Sequence, residues 1–177
     1  MHFIYLIIGL YFPTEFGLDP IQTGQCFLTI GLCYITGGFL GSILAKFTYG
    51  KISFTTRMIL SLFPFIFLAV GNFLVGWSLP QGNFWLCFSF ILGCAALRGF
   101  ILPGAVSYTI ELQGQQTKSI LDGLAVIQIF MSFLAQMIGT LLDSQVPVYW
   151  TFTVISILMV CSCVPVLFFV IKRKCCS

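Results

Sequence analysis

An all-α bundle of membrane-spanning helices is the fold class that this sequence predicts, and three observations carry it. Hydrophobic residues make up 59% of the 177-residue chain and charged residues only 7%, against roughly 25% charged in an ordinary soluble domain. The apolar residues fall into runs of bilayer length, a crossing helix needing about 20 of them. The cations collect in a few short connections instead of spreading along the chain. A water-soluble chain of this size has too little interior to hide so much apolar surface, so lipid is the solvent for most of it. A formal net charge of +3 is too small to point to a nucleic-acid partner. The bilayer is the first partner that the composition implies.

Taken in order, the opening apolar stretch Phe3–Phe12 is too short to cross. It reads as a stub, the last part of a helix whose beginning is missing, and it lacks the basic flank and cleavage-site pattern of a signal peptide. Five full spans are expected after it, at Ile21–Phe47, Met58–Trp77, Phe84–Tyr108, Ile120–Leu142 and Val148–Ile171. The second helix opens on "GLDPIQ", with Asp19 as N-cap and Pro20 at the first helical position. "SLPQGNF" is a tight turn before Phe84, and Ser119 with Asp122 forms a capping-box variant before the fifth helix. Every connection is short, so neighbouring spans run antiparallel and residues 1–177 form a single polytopic bundle.

Orientation follows from the cations. Lys46, Lys51 and Arg57 lie between the second and third helices, Lys118 between the fourth and fifth, and Lys172, Arg173 and Lys174 after the last. Counting crossings puts all of these on one side. The other side carries only Glu15, Asp19 and Asp143. The positive-inside rule then places the lysine connections and the C-terminus in the cytoplasm. Trp77, Trp85 and Trp150 fall at the opposite boundary, where amphipathic rings prefer to sit. A multi-pass protein of the plasma membrane is expected.

Of the eight cysteines, six lie inside apolar runs, where Cys acts as a small buried hydrophobe. There is no Cys-x-x-Cys pair and the sole histidine is His2, so neither a metal site nor a cofactor is expected. Cys175 and Cys176 directly follow Lys172-Arg173-Lys174. They read either as a palmitoylation site beside a membrane exit or as two ordinary tail cysteines.

Gly37, Gly41 and Ala45 recur every four residues and form one ridge on one helical face. Small residues there let another helix backbone approach closely, which is how packing is gained in lipid. The ridge leads straight into a short basic connection, and "GSILAKFTYGK" resembles the loop motif that occurs once in each six-helix half of major facilitator superfamily transporters. Gly41, Lys46, Gly50 and Lys51 match that motif, while Ala45 stands where the family has an acidic residue, so the acid's charge-relay role is not implied. "GLDPIQTGQCFL" is similar to the entry of the family's eighth helix, and "ILPGAVSYTIELQGQQTKS" to its tenth helix and following loop. "YWTFTVISILMVCSCVPVLFFVIKRK" is similar to the closing helix of fungal-type drug:proton antiporters, although "GLAVIQIF" replaces their Asn-Leu-x-Arg pattern. The resemblance implies the C-terminal six-helix half of a facilitator-type fold with its first helix truncated. It also implies a small-molecule solute and, as partner, a complementary N-terminal half or a second copy.

Arg98 lies inside the fourth helix, where a charged side chain costs about 2.5–3.5 kcal/mol at the centre of the span. It reads either as facing a central cavity, paired with an anionic substrate group or a carboxylate, or as snorkelling towards the headgroups. Gln128, Ser132 and Gln136 form a polar stripe on the fifth helix, with Gly139 and Asp143 beyond, and Gln22, Gln25, Thr29 and Thr36 form a line on the second. Such groups must face protein or water. They either bind a solute or hold helices together. Arg98, Gln128, Ser132, Gln136, Gln25 and Thr29 are the candidates for a substrate-binding wall. No nucleophile with a His partner, phosphate loop or paired intramembrane acids appears, so an enzyme is not expected. The functions left open are transport of a small solute by alternating access, a non-transporting membrane subunit, and an inactive transporter remnant. A channel is disfavoured by the lack of a pore-loop or ring-forming acidic segment.

Overall fold

The computed structural model describes residues 7–48, 51–113 and 149–161. All regular structure among them is helical. A π turn at Ile7–Tyr11 runs into α1 (Phe12–Phe16), followed by α2 (Pro20–Thr48), α3 (Phe54–Ser78), α4 (Phe84–Gln113) and α5 (Tyr149–Cys161). Three of these are long and apolar enough to cross a membrane, at Pro20–Thr48, Leu62–Gln81 and Phe84–Gly104. The described helices thus make an apolar, multi-pass bundle. The expected span Ile120–Leu142 and the end of Val148–Ile171 lie outside the described residues.

The starts of the three long helices have local causes. At α2, Asp19 Oδ1 accepts from the Gln22 backbone N–H at 2.7 Å, and Gln22 Oε1 accepts from the Asp19 N–H at 3.1 Å. The two side chains therefore satisfy two otherwise orphaned donors reciprocally. Ser53 Oγ accepts from Thr56 N–H to open α3, and Asn83 Oδ1 accepts from Leu86 N–H to open α4. Between α3 and α4 the chain turns through a 3₁₀ segment, Leu79–Gln81, and reverses at Gly82, whose φ of 65° suits a residue without Cβ. Helix ends differ from the sequence expectation where apolarity is a poor guide: α1 continues past Phe12 to Phe16, α3 begins at Phe54, and α4 continues to Gln113. Polar residues beyond the hydrocarbon keep their backbone bonds, so helices outrun their apolar windows.

Hydroxyl groups in the helices turn back on their own turns. Thr29 donates to Gln25 O, Thr36 to Leu32 O, Ser42 to Gly38 O and Ser89 to Trp85 O, all at 2.7–2.8 Å. Where no water is available this satisfies the donor at little cost. The core packs Ile8, Phe12, Ile30, Val75, Cys87, Ile91, Cys94 and Phe152 together. Cys26 is also buried, Cys33 is half-buried and Cys161 is exposed, so the packing role expected for the apolar-run cysteines holds for some of them and not for Cys161. Cys163 lies outside the described residues.

Outward faces are equally apolar. Ile21, Leu28, Ile35, Phe39 and Phe47 along α2 are exposed, as are Phe63 and Phe67 on α3, a surface that suits lipid and not water. The two ends of the bundle differ in chemistry. At one end Tyr11, Phe12, Phe16, Phe84 and Phe88 form an aromatic cluster with neighbouring ring centroids 5.2–6.2 Å apart. Trp85 and Trp77 stand exposed at the same end, with Glu15 and Asp19. Trp150, beside the Tyr149 carbonyl that approaches Gly76, joins them. Exposed Lys46 and Lys51 mark the opposite end, with the Lys51 ammonium 5.9 Å from the centre of the Phe47 ring.

Candidate functional site

The contact that positions everything else lies between α2 and α4. Gly37 and Gly41 are buried, and their Cα atoms abut the backbone of Ala96 and Phe100. A Cβ on Gly37 would stand 2.8 Å from the Ala96 carbonyl carbon, and one on Gly41 would stand 2.9 Å from that of Phe100. From the other side, a Cβ on Gly99 would meet the Tyr34 carbonyl and come within 2.9 Å of Gly38 N. Backbone therefore packs on backbone, the arrangement small residues permit in lipid. Ala45, the third member of the ridge, is only half-buried. Gly99 was not foreseen as the reciprocal member, although Ala95 and Gly99 at i and i+4 carry the same signal on α4.

These contacts fix the register: Gly37 meets Ala96 and Gly41 meets Phe100, so α2 and α4 run parallel. Arg98 then lies level with Phe39. It stands about 21 Å from the start of α4 at Phe84 and about 22 Å from its end at Gln113, on the helical rise of about 1.5 Å per residue. Cys87, Ile91, Cys94 and Arg98 follow one another at i, i+4, i+7 and i+11, a single face of α4. The first three are 0%, 0% and 2% exposed. Arg98 is half-buried at the end of this stripe and has no hydrogen-bond or ion-pair partner among the described residues. Arg98 thus continues the packed face of α4 at a level where the next residue along it, Leu102, is exposed.

The other candidates separate. Thr29 lies about 15 Å and Gln25 about 21 Å from the level of Arg98 along the bundle, at about 1.5 Å per residue. Thr29 gives its proton to Gln25 O, Gln22 is consumed by the α2 cap, and the Gln25 side chain is exposed. The described structure therefore does not bring Gln25 or Thr29 to Arg98. Gln128, Ser132 and Gln136 lie outside the described residues, as do Gly139, Asp143, Gly50, Cys175 and Cys176. Lys46 and Lys51 are exposed at the cationic end, next to the buried Gly41 turn. Asn72, a polar residue inside the third span that the sequence leaves open to solute binding or to helix–helix bonding, makes a polar contact between helices: it donates to Leu68 O at 2.8 Å and to Met159 Sδ on α5 at 3.5 Å. No group of three or more His, Cys, Asp or Glu that could hold a metal occurs among the described residues.

No family model matches the chain, and no curated protein or solved structure matches it.

Proposed function

We propose that the chain moves a small solute across the membrane by alternating access, as the C-terminal half of a facilitator-type transporter completed by a second half or a second copy. The observation that supports this reading is Arg98, a half-buried guanidinium with no partner among the described residues, inside the apolar stretch Phe84–Gly104 of α4. A cation held there costs free energy unless water, a carboxylate or an anionic solute meets it. Intramembrane ionisable residues facing a bundle interior mark solute and ion pathways for this reason. Pro103, five residues on, removes the N–H that would bind the Gly99 carbonyl and loosens α4 just beyond the charge. On this reading the lysine connections and the C-terminus face the cytoplasm, and the tryptophans mark the outer interface.

The subunit reading relies on the glycine ridge to bind another membrane protein. Gly37 and Gly41 are already occupied by α4 of the same chain, which removes that surface. The test is uptake of ¹⁴C-labelled mono- and dicarboxylates into proteoliposomes holding the assembly isolated from native membranes. Transport predicts saturable uptake that Arg98→Ala lowers at least tenfold and Arg98→Lys lowers less. Uptake that is linear with concentration, or equal in wild type and Arg98→Ala, would overturn the proposal.

A further inference from the structure

The break that Pro103 makes in α4 has a counterpart on α3. A Cβ on Gly71 would stand 2.7 Å from Cys94 Sγ, which sets the register of the antiparallel pair α3 and α4. Pro64 lies seven residues from Gly71 towards the cationic end, and Ile101 lies seven from Cys94 the same way. Pro64 and Ile101 are therefore level, with Pro103 about 3 Å beyond, at about 1.5 Å per residue. Each proline lacks the N–H that would bind the carbonyl four residues back, Leu60 O on α3 and Gly99 O on α4. α2 carries no proline after Pro20 and stays unbroken to Thr48.

The α2–α4 seam ends at the same level. Its rung nearest the cationic end is Gly41 against Phe100, and Gly99 O, the carbonyl that Pro103 frees, lies 3.7 Å from where a Cβ on Gly38 would stand. Beyond that rung the helices part around a cleft of about 370 Å³, lined by Ala45 and Thr48 of α2, Leu60 and Pro64 of α3, and Gly104 and Ser107 of α4. A straight helix packed along a broken one splints it. Two breaks at one level leave no splint between α3 and α4, and the cleft gives both helices room to move against α2. We propose that α3 and α4 share a proline hinge, about which their cationic-end arms, residues 54–63 and 103–113, swing together against a rigid α2 and so widen and narrow the cleft. Each arm already lacks one backbone hydrogen bond at its root, so bending there breaks no further one. At about 1.5 Å per residue each arm is about 15 Å long, and a bend of about 20° at a proline carries its tip through about 5 Å. The α3 arm is tied to α2 at its tip by the connection 49–53, so the larger excursion falls to α4. The motion needs no solute, so it is independent of the transport reading.

The test is double electron–electron resonance on the full chain in lipid nanodiscs. Nitroxides carried on p-acetylphenylalanine spare the eight native cysteines. One pair of labels, in place of Lys46 and Gln113, spans α2 and α4 at the cationic end; a reference pair, in place of the exposed Gln25 and Ser89, spans them at the opposite end. The distance distribution of the cationic-end pair should be at least twice as wide as that of the reference pair. Pro64→Ala and Pro103→Ala should each narrow it, and together bring it to the reference width, with far-UV circular dichroism confirming that the helices persist. Pro64 lies on neither labelled helix, so its effect on the α2–α4 distance reads the shared hinge and not a local kink. Equal widths of the two pairs in wild type would overturn the inference. So would an unchanged cationic-end distribution in Pro64→Ala or in the double variant.

Discussion

Replacing Gly37 by alanine separates backbone packing from intrinsic helix propensity. The new methyl would lie 2.8 Å from the Ala96 carbonyl carbon and 3.0 Å from its Cα, whereas non-bonded carbons rest at about 3.5–4.0 Å. To restore that spacing α2 and α4 must part by about 1 Å, and a gap of 0.5–1 Å already forfeits a quarter to a half of each dispersion contact along the seam. Overpacking of this kind costs about 1–3 kcal/mol. Gly31 provides the control, because a Cβ there meets nothing within 4 Å. Gly31→Ala should stabilise by up to about 1 kcal/mol, since alanine loses less backbone entropy in a helix. The same gain accrues at Gly37, so the difference between the two variants isolates the steric cost. Reversible unfolding in mixed micelles, followed by far-UV circular dichroism against SDS mole fraction, measures both. One separation relieves both clashes, so adding Gly41→Ala should cost much less than a second independent penalty, contrary to the additivity of distant sites. Stabilisation of Gly37→Ala equal to that of Gly31→Ala would refute the backbone seam.

Two further outcomes follow from the packing and the caps. Gly76→Ala should destabilise, because its methyl would stand 2.6 Å from Phe152 Cβ and 3.1 Å from the Tyr149 carbonyl. Phe152→Ala should cost about 3 kcal/mol yet leave the Gly76 clash unrelieved, since alanine keeps that Cβ; thermal unfolding of the single and double variants in detergent checks this. Asp19→Ala should cost about 1 kcal/mol and Asp19→Asn much less, because asparagine keeps the oxygen that accepts the Gln22 N–H; amide hydrogen exchange over Ile21–Thr23 reports the fraying.

The helical, membrane-embedded character was legible because it rests on apolar runs and on Pro, Gly and Asp punctuation, which act within a few residues. The α2 start at Asp19-Pro20 is of this kind, and so is the turn at Gly82. The α2–α4 seam was half legible: the ridge of Gly37 and Gly41 announces that a backbone approaches but not which one. The short connections already make α2 and α4 parallel, but their pairing at Ala96 and Phe100 depends on how three helices pack, which no local pattern encodes. The polar line of Gln22, Gln25, Thr29 and Thr36 shows what a sequence does not display. Side chains that look available in a sequence can be spent within one turn, as Gln22 is on a cap and Thr29 and Thr36 are on their own carbonyls. Arg98 stood out because a charge in an apolar run is rare, whereas its place on the Cys87–Ile91–Cys94 face needed only the spacing of its neighbours.

The parallel seam also sets a clock for biosynthesis. α2 leaves the ribosome and enters the membrane with its glycine face bare, and its partner segment on α4 is translated about 60 residues later. At about 5–20 residues per second, the interval is about 3–12 s. During that time the exposed Gly37–Gly41 backbone is open to any neighbouring helix. Chaperoning of nascent membrane helices is therefore most consequential for this chain between the emergence of Gly37 and the arrival of Phe100.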